Sequence, residues 1–177
     1  MTELPPGILG PLPSLISDIE IVVTNLTSLP ADLHERWHSL SVLYSEHSQL
    51  SGLPETLLQP DVYDLSLIGN HIEWLPDLLS HYFVLALSYN PLAELPAAIS
   101  QGLTIDFLAL EGTNLANLPS WATDCVDVIA YLAGSPLCFG QQSALAGLDS
   151  TKFTCGNVDP RGRGRYPLGI TELIRVP

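Results

Sequence analysis

Leu65-Ser66-Leu67-Ile68-Gly69-Asn70-His71-Ile72-Glu73-Trp74-Leu75-Pro76 is followed shortly afterwards by Leu85-Ala86-Leu87-Ser88-Tyr89-Asn90-Pro91-Leu92-Ala93-Glu94-Leu95-Pro96. The two stretches share one frame: two leucines one residue apart, Asn three residues later, an aliphatic residue two beyond it, then Leu-Pro. Working outward, Leu-Pro also stands at Leu4-Pro5, Leu29-Pro30, Leu53-Pro54 and Leu118-Pro119, and the successive spacings are 25, 24, 22, 20 and 23. Leu108, Leu110, Thr113, Leu115 and Leu118 repeat the frame with Thr in the Asn place. Ile19, Ile21, Thr24, Leu26 and Leu29 do so near the start. Leu43, Ser45, Ser48, Leu50 and Leu53 form a weaker copy, and a degenerate one runs through Leu132, Ser135 and Leu137.

A period of this length is the mark of a coil of stacked repeats. Two apolar residues one apart put one face of a short strand inward, and the next coil sets an equivalent strand about 4.8 Å away in a parallel sheet. Leaving the strand strands backbone N–H and C=O groups inside the coil. The series Thr24, Ser48, Asn70, Asn90, Thr113, Ser135 places a hydrogen-bonding side chain at that point in every copy. The apolar residue after each Leu-Pro (Leu33, Leu57, Leu78, Ile99, Trp121) is expected to anchor the outer arc. Six strands are expected, centred near residues 20, 44, 66, 86, 109 and 131.

The pattern resembles that of the leucine-rich-repeat family, over about residues 4–138. The resemblance implies an α/β solenoid, a horseshoe with a parallel β-sheet on its concave face and turns and short helical pieces on its convex face. It divides the chain into a solenoid, residues 1–138, with a partial first coil, and a C-terminal cap with a basic Gly/Arg tail, residues 139–177. Leu4-Pro5-Pro6-Gly7-Ile8 fits the back half of a repeat, so the chain reads as starting inside one, with upstream domains of a longer parent chain expected.

Hydrophobic residues make up 46 % of the sequence and charged ones 14 %, which excludes a disordered chain. The net charge of −13 is unevenly placed. Residues 1–149 carry seventeen acids and one base, Arg36, for −16; residues 150–177 carry five bases and two acids, for +3. An acidic body argues against nucleic acid, which needs a basic footprint. Arg161, Arg163 and Arg165 alternate with Gly, as in a solvated linker. Met1-Thr2-Glu3-Leu4-Pro5-Pro6 lacks the basic flank of a secretory signal. The uncharged stretch Val128–Leu148 is broken by Pro136 and several Gly, so no membrane insertion is expected.

Cys138 directly follows the last repeat, in a setting similar to the disulfide-containing C-terminal caps of extracellular repeat proteins. That resemblance implies a Cys138–Cys155 bridge, with Cys125 left as a buried core residue; three reduced thiols are the alternative. Asn25-Leu26-Thr27 is an N-glycosylation sequon.

Two catalytic motifs are present in letter only. His34-Glu35-Arg36-Trp37-His38 matches the zinc-protease H-E-x-x-H, which needs both His on one helix face beside the Glu. Here Leu33, Trp37 and Leu40 form the apolar stripe a convex turn buries, so no zinc, no cofactor and no enzyme activity are expected. Cys125-Val126-Asp127 is similar to the Cys-x-Asp nucleophile of bacterial effector ubiquitin ligases, but the large helical domain those enzymes need has no room here.

The function expected from the resemblance is protein–protein recognition, with a protein or peptide ligand on the concave face of an extracellular or cell-surface receptor-like module. An intracellular scaffold or signalling regulator is the alternative. Four columns of residues flank the inward leucines across the coils. They are Asp18, Val42, Asp64, Val84, Phe107, Ile129; then Glu20, Tyr44, Ser66, Ala86, Ala109, Tyr131; then Val22, Glu46, Ile68, Ser88, Glu111, Ala133; then Val23, His47, Gly69, Tyr89, Gly112, Gly134. The ligand-contacting set is Asp18, Glu20, Tyr44, Glu46, His47, Asp64, Tyr89, Phe107, Glu111 and Tyr131, with Tyr44, Tyr89 and Phe107 as anchors.

Overall fold

A computed structural model describes residues 2–53, 62–78, 81–139, 145, 147–159 and 163. Among these residues the chain is a β-solenoid built on one parallel sheet of seven strands in sequence order. The strands are β1 (Asp18–Glu20), β2 (Val42–Tyr44), β3 (Asp64–Ser66), β4 (His81–Ala86), β5 (Thr104–Ala109), β6 (Val126–Tyr131) and β7 (Phe153–Thr154). Among the described residues, helix is confined to a 3-10 turn at Pro6–Ile8 and to single turns α1 (Leu33–Arg36), α2 (Ala122–Cys125) and α3 (Pro136–Phe139).

The pairing follows the leucine frame residue for residue. Asp18 lies opposite Val42, Val42 opposite Asp64, Asp64 opposite Val84, Val84 opposite Phe107 and Phe107 opposite Ile129. The inward pairs Leu65/Leu67, Leu85/Leu87 and Leu108/Leu110 are buried in a single core that runs the length of the coil. The longer strands β4, β5 and β6 begin several residues before the frame, and an irregularity between Ile105 and Phe107 shifts the register toward β6.

The polar ladder closes the turn of each coil. Asn70 Nδ2 donates to Ser45 O (2.7 Å) and Leu67 O (2.9 Å), and its Oδ1 accepts from Leu50 N (3.1 Å). Asn90 does the same one coil on, with Leu67 O, Leu87 O and Ile72 N. The shorter Thr113 and Ser135 reach only the carbonyl three residues back, Leu110 O and Leu132 O. Thr24 bonds to Ser48 across the coils (2.7 Å).

Just before each ladder residue the backbone turns left-handed. Val23, His47, Gly69, Tyr89, Gly112 and Gly134 all have positive φ, from 49° to 80°. The fourth column is therefore a conformational column. Its glycines have a second reason to be glycine. A Cβ on Gly69 would stand 2.5 Å from His47 Nδ1, and one on Gly112 would stand 2.6 Å from the Tyr89 ring. The large side chain of one coil lies in the space its neighbour leaves empty.

On the turn side Leu33, Leu78 and Trp121 are buried and Ile99 is partly so, as expected, while Leu57 lies outside the described residues. Trp37 and Trp121 are pinned by their indole N–H to Ile8 O and Pro96 O. The seventh strand was not expected. It comes from the segment after the repeats and pairs Phe153 with Ala130 and Thr154 with Tyr131, so the cap extends the sheet by one strand. Cys138 and Cys155 form a disulfide that ties this strand to α3. Cys125 is half-buried against the core rather than fully inside it, because it ends the short α2 on the turn side.

Two outcomes are expected. Gly112→Ala should destabilise the fold by about 1–3 kcal/mol, from the left-handed backbone and the clash together, and by clearly less in a Tyr89→Ala background. Equal penalties in denaturant melts of the two backgrounds would refute the ring-over-glycine contact. Reduction of Cys138–Cys155 should cost about 3 kcal/mol, read as a lower denaturation midpoint in reductant that is absent in a Cys138→Ala/Cys155→Ala variant.

Candidate functional site

The outward face of the sheet divides into three zones. At its start Asp18 and Glu20 are exposed on β1. Partial burial, and then the neighbouring Asp18 charge, raise the Glu20 pKa above its usual value.

In the middle, side chains expected to meet a ligand are packed against their neighbours. Tyr44, Glu46, Asp64 and Glu111 are all buried, which corrects their assignment as freely accessible contact residues. Tyr44 donates its hydroxyl to Asp64 Oδ2 (3.2 Å), and Ser66 donates to Glu46 Oε1. In a parallel sheet the columns of adjacent coils sit close enough to cover one another, and Ile68, Val84, Ala86 and Ala109 form a small apolar cluster of their own there. Tyr44 is thus a supporting residue and not an anchor. His47 is half-buried over Gly69, and burial lowers its pKa.

At the far end the chain covers its own face. After β7 the segment from Cys155 turns back across the last three coils. Val158 packs against Gly134, the Asp159 N–H donates to Glu111 Oε1 (3.1 Å), and the Tyr89 hydroxyl donates to Asp159 O (2.7 Å). Burial, then the charges of Glu111 and Asp159, raise the Tyr89 pKa and keep it a donor. Arg163 lies with Nε 3.2 Å from Glu111 Oε2 and with Cζ 4.1 Å from the centre of the Tyr131 ring. Arg163 is therefore not a solvated linker residue: a buried carboxylate draws the cation onto the sheet. Arg161 and Arg165 lie outside the described residues.

One open zone was missed in the sequence. Tyr63, Phe83 and Val128 are exposed, one residue upstream of the first column, and Phe83 stacks edge-on against Phe107 with ring centres 5.3 Å apart. The signal was present: two residues before the first inward residue of the third, fourth and sixth coils stand Tyr63, Phe83 and Val128. They lie one residue upstream of the four columns that the leucine frame defines.

The remaining motifs are placed as follows. In H-E-x-x-H, α1 ends at Arg36, so His38 lies beyond the helix. His34 Nδ1 is 3.2 Å from Ala31 O, and Leu33, Trp37 and Leu40 are buried. Among the described residues no group of three or more His, Cys, Asp or Glu converges on a point that suits a metal ion. Burial, then Asp124 and Asp127, push the Cys125 thiol pKa up, opposite to what a thiolate nucleophile requires. Asn25 of the sequon is exposed, its Oδ1 accepting from Gln49 Nε2 (3.3 Å). Among the described residues no helix is long and apolar enough to cross a membrane. No protein-family model and no curated protein sequence matches this chain.

The His47 environment has a consequence in acid. Below about pH 6.5, the ordinary imidazole pKa, the unfolded chain takes up a proton that folded His47 resists. The stability linked to this group is complete above that pH and is lost as pH falls through the window below it. His47→Asn should therefore flatten part of the fall in melting temperature between about pH 6.5 and 5. Parallel curves for the two proteins would show that His47 titrates freely in the fold.

Proposed function

We propose that this chain is a leucine-rich-repeat recognition module that binds a protein or peptide on the concave face of its sheet, in an oxidising compartment at or outside the cell surface. The observation that carries the reading is the exposed set of Tyr63, Phe83 and Val128 along the strand starts, with the half-buried Phe107 edge-on to Phe83, continuous with the tyrosine- and acid-bearing columns. Aromatic side chains held on rigid strands lose little entropy on binding and bury large area. An exposed apolar row on a sheet whose core is already complete serves no packing purpose.

The repeat family is supported by the agreement of ladder, left-handed turn and strand register in successive coils. The compartment is supported by the Cys138–Cys155 bridge, because such bonds persist where thiols are not kept reduced. An exposed sequon at Asn25 suits the same setting.

The test is a random peptide display selection against the full chain with its disulfide intact. Phe83→Ser and Phe107→Ala should each weaken the selected peptide by roughly thirty-fold, the equivalent of about 2 kcal/mol at a hot spot. Asp32→Ala and Glu94→Ala, on the turn side, should leave it unchanged. Greater loss from the turn-side pair, with the aromatic variants neutral, would assign recognition to the other face.

A further inference from the structure

The far end of the sheet holds more than a surface contact. The Glu111 side chain is fully buried, yet the solenoid frame supplies no cation to it; the cation arrives from Arg163, beyond the cap. Glu111 presents both carboxylate oxygens to one edge of the guanidinium, Oε2 at 3.2 Å from Nε and Oε1 at 3.4 Å from Nη2. The Tyr131 ring lies under the guanidinium, with Cζ 4.1 Å from its centre. A planar cation gripped along an edge and stacked on a face is arginine chemistry; a lysine ammonium satisfies neither contact as well.

Arg163 is an imperfect occupant. Its own backbone is left-handed, φ 65°, an unfavourable conformation for a side chain of this kind. Its Nε and the Glu111 Oε2 lie within ion-pair distance but do not align as a hydrogen bond, and both atoms are buried. Its side chain is 37 % exposed, so the site stays open to solvent on one side.

We propose that Glu111 and Tyr131 form an arginine-binding site on the recognition face, that Arg163 occupies it in cis, and that its external ligand is an arginine in an extended segment of a partner protein. This rests on the reading of that face as the recognition surface and adds the chemistry of the ligand. The exposed acids Asp18 and Glu20 on the first coil of the same face favour a basic partner segment. A tethered competitor acts at an effective concentration of about millimolar, so the cis arginine masks the site until it is removed or outcompeted.

The probe is a synthetic peptide of this chain's residues 157–166, beside a version in which every arginine is replaced by lysine. Calorimetric titration into the full chain and into its Arg163→Ala variant should show at least tenfold tighter binding of the arginine peptide to the variant. The lysine peptide should bind that variant at least fivefold more weakly. Tyr131→Leu in the Arg163→Ala background should remove the gain, as should Glu111→Gln; if the buried Glu111 change prevents folding, Tyr131→Leu decides alone. Equal binding to both chains, or equal binding of both peptides, overturns the arginine site. If the Phe83 and Phe107 effects on a selected peptide persist in that event, the recognition face stands without arginine as its ligand. If they vanish too, the face itself is wrong.

Discussion

A chain that coils this tightly must leave each strand while its backbone still lies inside, and the groups exposed at that corner have no strand to pair with. The rest of the fold depends on how that corner is closed. Asn70 and Asn90 do it by bridging two coils at once, taking a carbonyl from the coil before and one from their own, and giving an acceptor back to an N–H across the gap. Each Asn thereby sets the rise between coils as well as satisfying the turn. Thr113 and Ser135 are too short for the bridge and satisfy only their own turn. Inter-coil spacing there rests on the strands, and β4, β5 and β6 are twice the length of the three before them.

The repeat frame was legible because it is written in residue types with few substitutes. Paired inward leucines, a polar ladder and Leu-Pro each answer a requirement that recurs in every coil, and the register they imply is the register found from β1 to β6. The left-handed column was harder to see. It contains three glycines, whose presence signals positive φ, but also Val23, His47 and Tyr89, which do not. Those residues accept the strained backbone because the turn geometry is imposed from both sides.

Less of the candidate site was legible. Sequence columns say which way a side chain points from a strand; they do not say what covers it. Glu46, Asp64 and Glu111 point outward as the frame requires, yet their neighbours and the returning segment bury them. The return itself is a contact between residues about fifty to seventy apart, Glu111 with Asp159 and Arg163 and Tyr89 with Asp159, and no local pattern announces it. Only the charge asymmetry between the acidic body and the basic end hinted that the two would meet.

The stacking of His47 over Gly69 and of Tyr89 over Gly112 makes the coils unequal. From His47 to Gly112 a knob alternates with a socket, while Val23 beside His47 and Gly134 beside Gly112 break the alternation at the two ends. Deleting the single coil that contains Gly69 would bring His47 against Tyr89, knob upon knob. Deleting Gly69 and Tyr89 coils together would set His47 over Gly112 and leave the order intact. Between His47 and Gly112, duplication or loss keeps the knob-and-socket order only in pairs of coils.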